Sequence, residues 1–337
     1  MRRQSRWSRL AAALDTVGQL GLMFVAGKWP LRQPPANMLR GIDVYPWKDF
    51  IRAVVGSAYR FKVENGYLPR LVHPTTFNEH LFVRKFFAPL PVPSLADKLA
   101  SKEYVKDRVG VEVLPNVAWV GEDVGELFRT RLPEGRYVLK ANNGWGWHLF
   151  LDVPDDLVAK RSEIEQATTR WLNSQWGYYS GEWQYSIIKP KLFLENFIDF
   201  NGSQAPDDYK FLCFRGEVRL IEIDVDRMTD LRSAFYTPDW TYIPVTYGER
   251  PVQRDRPHNL DKMIRVAEAV AAGMPFARID LYTDGISQIR FGEITFTPGG
   301  AHLHFSDRKL DEWLGAQFAE GSKAAGVFEM LSAPELN

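Results

Sequence analysis

Hydrophobic and polar positions along this 337-residue chain follow two periods. Short runs rich in β-branched and aromatic residues predict strands over residues 137–141, 149–153, 191–197, 209–214, 217–224, 278–282 and 288–294. Helical spacing predicts helices over 95–108, 156–175 and 260–272, and Phe77, Leu81, Phe82 and Phe86 mark another in a helical segment nearer the N-terminus. Gly216 after Arg215, and the pair Asp284-Gly285, read as tight hairpin turns. Strands joined this way pair antiparallel, so the expected class is α+β rather than a parallel doubly wound sheet.

Pro89, Pro91 and Pro93 form a stiff connector that suggests a boundary near residue 94. The expected organisation is a helical N-terminal segment over 1–94, one lobe over 95–200, a second over 201–320 and a tail over 321–337. Arg2, Arg3, Arg6 and Arg9 precede an apolar run from Leu10 to Gly27, broken by Asp15 and Gln19. It superficially resembles a secretory signal, but the internal charge and the missing small-x-small cleavage site argue against that. A helix packed on the body is the plain expectation; an amphipathic helix making peripheral membrane contact through residues 1–30 is the alternative. No uncharged span reaches the length of a transmembrane helix.

Lys and Arg total 42, as do Asp and Glu, so the global field attracts neither nucleic acid nor an anionic surface, and no nucleic-acid partner is expected. The lone Cys213 excludes an internal disulfide framework and a Cys-rich zinc site. A reducing cytoplasm is the expected location, with the inner face of the cytoplasmic membrane as the variant that the N-terminal segment suggests.

Four segments carry candidate chemistry. A hairpin at Asp284-Gly285 brings Asp280 and Glu293 onto one face, and adjacent carboxylates repel unless a cation sits between them. Oxygen-only ligands suit Mg²⁺ completed by nucleotide phosphates. Partnership with Arg278 and Arg290, or plain solvation, explains such a pair equally simply. Lys140 ends a strand before the loop Asn142-Asn143-Gly144-Trp145-Gly146, where an ammonium and loop N–H groups can line a polyphosphate, although an ordinary hairpin with an exposed Lys fits too. Lys98 and Lys102 share a helix face that reads first as a solvated basic surface. Glu195 interrupts an apolar strand as either a ligand to an adenine amine or a paired buried acid.

The order of these segments resembles the ATP-grasp superfamily from residue 95 to about 305. Phe77-Asn78-Glu79, Ala96-Asp97-Lys98, the run Asp208-Tyr-Lys-Phe-Leu-Cys-Phe-Arg-Gly216, Asp226-Arg227 and Phe291-Gly-Glu-Ile-Thr-Phe296 more narrowly resemble the TupA-like ATP-grasp family of polysaccharide biosynthesis. The resemblance implies two α+β lobes with mainly antiparallel sheets gripping ATP and Mg²⁺. It implies that Lys98 and Lys140 contact phosphates, that Asn142, Asn143, Gly144 and Gly146 belong to a loop closing over them, and that Glu195 and Phe197 meet the adenine. Asp280, Glu293 and Thr295 become metal ligands, Thr295 standing where the superfamily generally has Asn. Arg278, Arg227 and Lys210 become the catalytic cations. His80 stands where the narrower family often has Lys.

The implied reaction is ligation: a carboxylate attacks the ATP γ-phosphorus to give an acyl phosphate, and an amine displaces phosphate to form an amide. The implied partners are an amino acid or other small-molecule amine and a uronic-acid-containing glycan or its precursor. The rivals are an ATP-dependent sugar kinase and a noncatalytic ATP-binding subunit of a glycan assembly complex. Trp171, Trp176, Tyr178, Tyr179, Trp183 and Tyr185 offer rings for sugar stacking or for the core.

Overall fold

The computed structural model describes residues 6–25, 47–87, 90, 92–200, 206–226, 229–319 and 326–332. Helices α1 (Arg6–Val25), α2 (Trp47–Asn65) and α3 (Phe77–Phe87) form the N-terminal segment. α1 buries Ala12, Thr16 and Leu20, spaced by four, against the body and exposes Leu10, Leu14 and Val17. The helix expected over 95–108 begins later, as α4 (Lys98–Val109), after a 3-10 turn over Pro93–Ala96. Asp97 sets that start, since its carboxylate accepts the backbone N–H of Leu99 (2.8 Å) and Ala100 (3.4 Å).

Next come β1 (Val117–Gly121), α5 (Val124–Leu127), β2 (Gly135–Ala141), β3 (His148–Val153), α6 (Asp155–Ala159), α7 (Arg161–Leu172), α8 (Trp176–Ser180) and β4 (Leu192–Asn196). The helix expected over 156–175 is two pieces, α6 and α7, meeting at Lys160. The strands form an antiparallel sheet in the order β1-β4-β2-β3. Alternation divides its faces. Tyr137, Leu139, Ala141, Leu151, Leu192 and Leu194 pack on Ile164, Ala167 and Trp171 of α7, while Val138, Lys140, Phe193 and Glu195 look the other way.

A second antiparallel sheet follows, built from β5 (Asp208–Phe214), β6 (Glu217–Val225), β7 (Arg232–Tyr236) and β8 (Tyr242–Ile243), then, after α9 (Leu260–Ala271), β9 (Phe276–Thr283) and β10 (Ile289–Thr295). Its order is β10-β9-β5-β6-β7-β8. One face is apolar throughout: Phe211, Cys213, Ile221, Ile223, Ile279 and Leu281 pack under Met263, Ala267 and Val270 of α9. Burial pushes the Cys213 thiol far above its usual range, so it behaves as a small core residue. The opposite face is split. Leu212, Phe214, Leu220, Phe235 and Phe276 lie under Phe61, Phe77 and Phe82 and under Leu310, Trp313 and Leu314 of α10 (Arg308–Ala316). At the other end Asp208, Lys210, Glu222, Asp224 and Asp280 share that face, as their pairing shows. A short helix α11 (Val327–Ser332) packs on α10.

The Phe77-Asn78-Glu79 motif is architectural. The Asn78 amide donates to Leu303 O (2.9 Å) and Asp311 Oδ1 (3.0 Å) and accepts from Leu303 N (2.8 Å). Glu79 accepts from Arg70 Nε (2.8 Å) and the N–H groups of Arg70, Thr75 and Thr76. The Asn78 bonds lock α3 to the segment that follows β10, and the Glu79 bonds fold the α2–α3 connection onto α3.

Burial pushes the Asp311 carboxyl up to about 6, against the hydrogen bonds from Asn78. Its folded value lies above the unfolded one, so the folded state holds the extra proton between about pH 4 and 6, and this contribution to stability is lost as pH rises through that window. Asp311→Asn keeps an acceptor oxygen for Asn78 and removes the titration. We expect the variant to match the parent near pH 4 and to exceed it by on the order of 2 kcal/mol at pH 7, read by urea unfolding across pH.

Candidate active site

The charged end of the split face is centred on Arg278 of β9. Its Nε and Nη2 donate to the two oxygens of Asp280 at 2.8 and 2.6 Å, a bidentate pair, and Nη2 reaches Thr295 Oγ1 at 3.3 Å and Glu293 Oε1 at 3.5 Å. A bulge makes this possible. Phe291 pairs with Leu281 and Ile294 with Ile279, so Gly292 and Glu293 together oppose Asp280. The extra residue lets Phe291 and Ile294 stay in the core while Thr295 pairs with Arg278 on the charged face. Gly292 tolerates the close approach because a Cβ there would crowd Asp280 O and the Tyr282 ring, each at 3.1 Å. Thr295 Oγ1 also donates to Glu293 Oε1 (3.3 Å) and so buttresses it.

Burial raises the Asp280 carboxyl, and Asp208 and Glu293 add to that against the pull of Arg278. Burial would raise Glu293 too, but Lys98, Arg278 and Lys140 hold it below the usual carboxylate value. Lys210, directly opposite Asp280, donates to Glu222 Oε1 (3.0 Å) and to Asp224, whose other oxygen accepts from Ser233 Oγ (2.7 Å). Burial would lower Lys210, yet Glu222 and Asp224 keep its ammonium raised well above the ordinary value. Arg227 lies outside the described residues.

The facing wall carries the lysines. Lys98 and Lys102 do not form the solvated basic face that their helix spacing suggests, because acids from two sheets meet them. Lys98 Nζ lies 3.5 Å from Glu293 Oε2 and donates to Gly144 O (2.5 Å). Lys102, 6% exposed, lies 2.9 Å from Glu195 Oε2, and Lys140 pairs with the other oxygen. Burial would raise Glu195, but Lys140 and Lys102 hold it down at about 2, so it stays ionised between them.

Asn142 builds the site without facing it. Its side chain, 1% exposed, donates to Asp97 Oδ2 and Lys189 O (both 3.0 Å) and accepts from Lys191 N (2.7 Å). Both amide hydrogens are thus committed, which corrects its expected role as a cofactor contact. Asn143 is likewise buried. Gly144 closes under Trp147, whose ring leaves no room for a Cβ, and Gly146 turns with φ +71°.

Three contiguous cavities result. The first, about 280 Å³, is walled by Val138, Phe150, Phe197, Ile198, Leu231 and Tyr282, with Lys140 and Glu195 at its polar end. Those two residues also line the second, about 340 Å³, with Lys98 and Lys102 from one side and Asp208, Asp280 and Glu293 from the other. Glu293 and Trp145 border the third as well, about 490 Å³, which extends under α2 and α3. Cations and carboxylates therefore face each other across the middle cavity. Among the described residues no three His, Cys, Asp or Glu groups are arranged to hold a metal. A pair such as Asp280 and Glu293 fits a cation that completes its shell with water and phosphate oxygens, as Mg²⁺ does. Arg278 occupies one lone pair on each Asp280 oxygen and leaves others free.

Two antiparallel sheets with an apolar slot that runs into a charged cavity between them are the arrangement of the ATP-grasp class. The chain belongs to the TupA-like ATPgrasp family, whose model matches residues 82–319. Among solved structures it is similar to the ATP-grasp ligase PsnB complexed with minimal precursor (15% identity, 61% of this chain and 53% of that one, TM-score 0.35). It is also similar to D-alanine–D-alanine ligase from Bacillus anthracis (16%, 61% and 58%, 0.35) and L-amino acid ligase from Bacillus licheniformis (16%, 66% and 49%, 0.39). The chain spans between 49% and 58% of the length of these three structures. No curated protein matches it at a significant level.

Sequence reasoning missed Lys102 as a site residue, and it missed Asp97, Asp208 and Tyr282. The (i, i+4) spacing of Lys98 and Lys102, together with Asp97 at the cap, was the available signal. We expect Asn142→Ala to lower stability by about 2–4 kcal/mol, since it strands one oxygen of the partly buried Asp97 carboxylate and two backbone groups, as denaturant unfolding would show.

Proposed function

We propose that the protein is an ATP-dependent carboxylate–amine ligase. The observation that carries this is the middle cavity, where Lys98, Lys102 and Lys140 oppose Asp208, Asp280 and Glu293 between an apolar slot and a larger chamber. The slot suits adenine, with Phe197 and Phe150 in its walls, and the lysines suit the phosphates. Asp280 and Glu293 would hold Mg²⁺, which when bound neutralises charge on the phosphate oxygens.

A carboxylate presented from the large chamber would approach the γ-phosphorus beside Arg278. Its oxygen forms the new P–O bond as the bond to ADP breaks. Arg278, raised by Asp280 and its other carboxylate neighbours after burial is offset, stays cationic and faces the charge that develops there. A neutral amine then attacks the acyl carbon, phosphate departs and the amine releases a proton. No protein nucleophile is required; positioning and charge suffice.

The acceptor in this reading is a uronic acid carboxylate of a surface polysaccharide or its precursor, and the amine an amino acid or related compound. Trp176 and Tyr185 in the chamber wall suit a sugar ring. Among the described residues no helix is long and apolar enough to cross a membrane. The exposed row Leu10, Leu14 and Val17 on α1 supports peripheral contact with the inner face of the cytoplasmic membrane.

Two measurements test this. ADP release from Mg-ATP should require both a uronic acid and an amine, give a product of amide mass, and fall by about 100-fold or more in Glu293→Ala. ADP release that ignores the amine and leaves a stable phosphorylated sugar would replace the ligase with a kinase. For the membrane, the parent should co-sediment with phosphatidylglycerol vesicles and the doubly substituted Leu10→Asp/Leu14→Asp protein should not; equal sedimentation removes that contact.

A further inference from the structure

The large chamber holds a cationic group that the ligase chemistry does not use. Lys85 of α3 is 3% exposed, and among the described residues it makes no ion pair. Its ammonium donates to Ser57 Oγ (3.1 Å) and Gly300 O (3.2 Å) and lies 5.1 Å from the centre of the Phe86 ring, all neutral groups, so no anion neutralises it. Gly299 and Gly300, with φ of +57° and +61°, make the turn that brings this carbonyl in. Ser57 Oγ also lies 3.2 Å from His302 Nε2, a contact whose donor depends on the ring tautomer. His302 Nδ1 is buried with no hydrogen-bond partner.

A buried ammonium with only neutral partners thus stands in this wall, and such a charge is unfavourable unless a ligand supplies an anion. Arg60 and Arg52 line the same chamber from α2, both exposed. Arg52 pairs with Asp49 at 3.2 Å, whereas Arg60 makes no ion pair among the described residues. The acids of the chamber are Glu182, which accepts from Thr297 Oγ1 (2.7 Å), and Glu293, which is engaged by Arg278 and Lys98. The positive charge at the α2 end is left without a counterpart.

We propose that this chamber is the acceptor subsite, and that it selects an acceptor carrying a second anionic group, remote from the reacting carboxylate, bound by Lys85 and Arg60. The assignment rests on the ligase reading. The shared chemistry is an oxyanion with at least two acceptor oxygens, which either a further carboxylate of a polyuronate or the diphosphate of a nucleotide sugar supplies. Ser57 and Arg60 lie before residue 82, where the family match begins, so part of this recognition belongs to the N-terminal helices of this chain rather than to the shared fold.

Lys85 is drawn down to about 8 by burial, with Arg60 lowering it further and Glu182 opposing, and an anion beside it would restore its charge. His302, pulled to about 3 by burial with Lys85 and Arg60, stays neutral and adds no charge to the chamber.

The test uses the full chain and three probes: galacturonate, trigalacturonate and UDP-galacturonate. In ADP release at saturating ATP and amine, one of the two larger probes should show a KM about tenfold or more below that of galacturonate. Preference for trigalacturonate identifies a distal carboxylate, and preference for UDP-galacturonate a diphosphate. Lys85→Met and, independently, the exposed Arg60→Ala should raise that KM by about tenfold with a much smaller change in kcat, narrowing the preference toward unity, and Lys85→Arg should restore part of it. Equal KM values for the three probes, or a preference that survives both substitutions, overturns the assignment. Calorimetric titration of the same probes into nucleotide-free protein reads the subsite without turnover, so its failure and failure of the ligase reading are separable.

Discussion

A guanidinium buried among carboxylates organises the cleft. The Arg278 side chain is only 12% exposed, and such a charge is tolerated only with close, well-aligned partners. Asp280 supplies a bidentate pair from the same strand, while Glu293 and Thr295 reach it from β10 only because the bulge at Gly292 and Glu293 shifts the register. Around it Asp208, Asp280, Glu222, Asp224 and Glu293 outnumber the cations Arg278, Lys210 and Lys98. Burial raises the Asp280 carboxyl, and that surplus adds to it. A site with an excess of carboxylates has a standing preference for a further cation, and here the excess borders the middle cavity.

The same sheet explains why the N-terminal helices are part of the cleft. Its outer face is uniformly apolar and takes α9, but its inner face turns from Leu212, Phe214 and Phe276 to Lys210, Asp280 and Arg278 within a few residues. The apolar half must be covered, and α2, α3 and α10 cover it. Their edge then falls beside the charged half and forms the wall of the large chamber. Asn78 ties α3 to the segment after β10, so Lys85 and His302 are held in one frame.

Local patterns were legible in the sequence and nonlocal pairings were not. The strands β2 to β6, β9 and β10 lie within a residue or two of their expected bounds because each reads as a β-rich run between turns. The Asp284-Gly285 turn was enough to put Asp280 and Glu293 together, whereas the bulge was invisible because it depends on which core position each of Phe291 and Ile294 fills. β1, β7 and β8 were not anticipated; β1 is a half-exposed edge strand and β8 has two residues, too little for a pattern. Lys98 and Lys102 read as surface because lysines on a helix usually are, and only the acids arriving from β4 and β10 reverse that. Asn142 looked like a loop ligand; its partners Asp97, Lys189 and Lys191 lie 45 to 49 residues away, beyond any local reading.

Lys98 joins these parts. It starts α4, its N–H bonds Asn142 O (3.2 Å), its ammonium holds Gly144 O, and it spans the cleft to Glu293. A phosphate arriving beside Lys98 competes directly with Glu293 for the ammonium, and a carboxylate released from that pair gains a lone pair for a cation. Anion binding on the lysine wall and cation binding on the acid wall are therefore coupled through one ion pair, each weakening the bond that opposes the other. Because Lys98 also grips the loop backbone at Gly144, the same exchange reaches Trp145, the exposed ring that borders both the middle cavity and the large chamber.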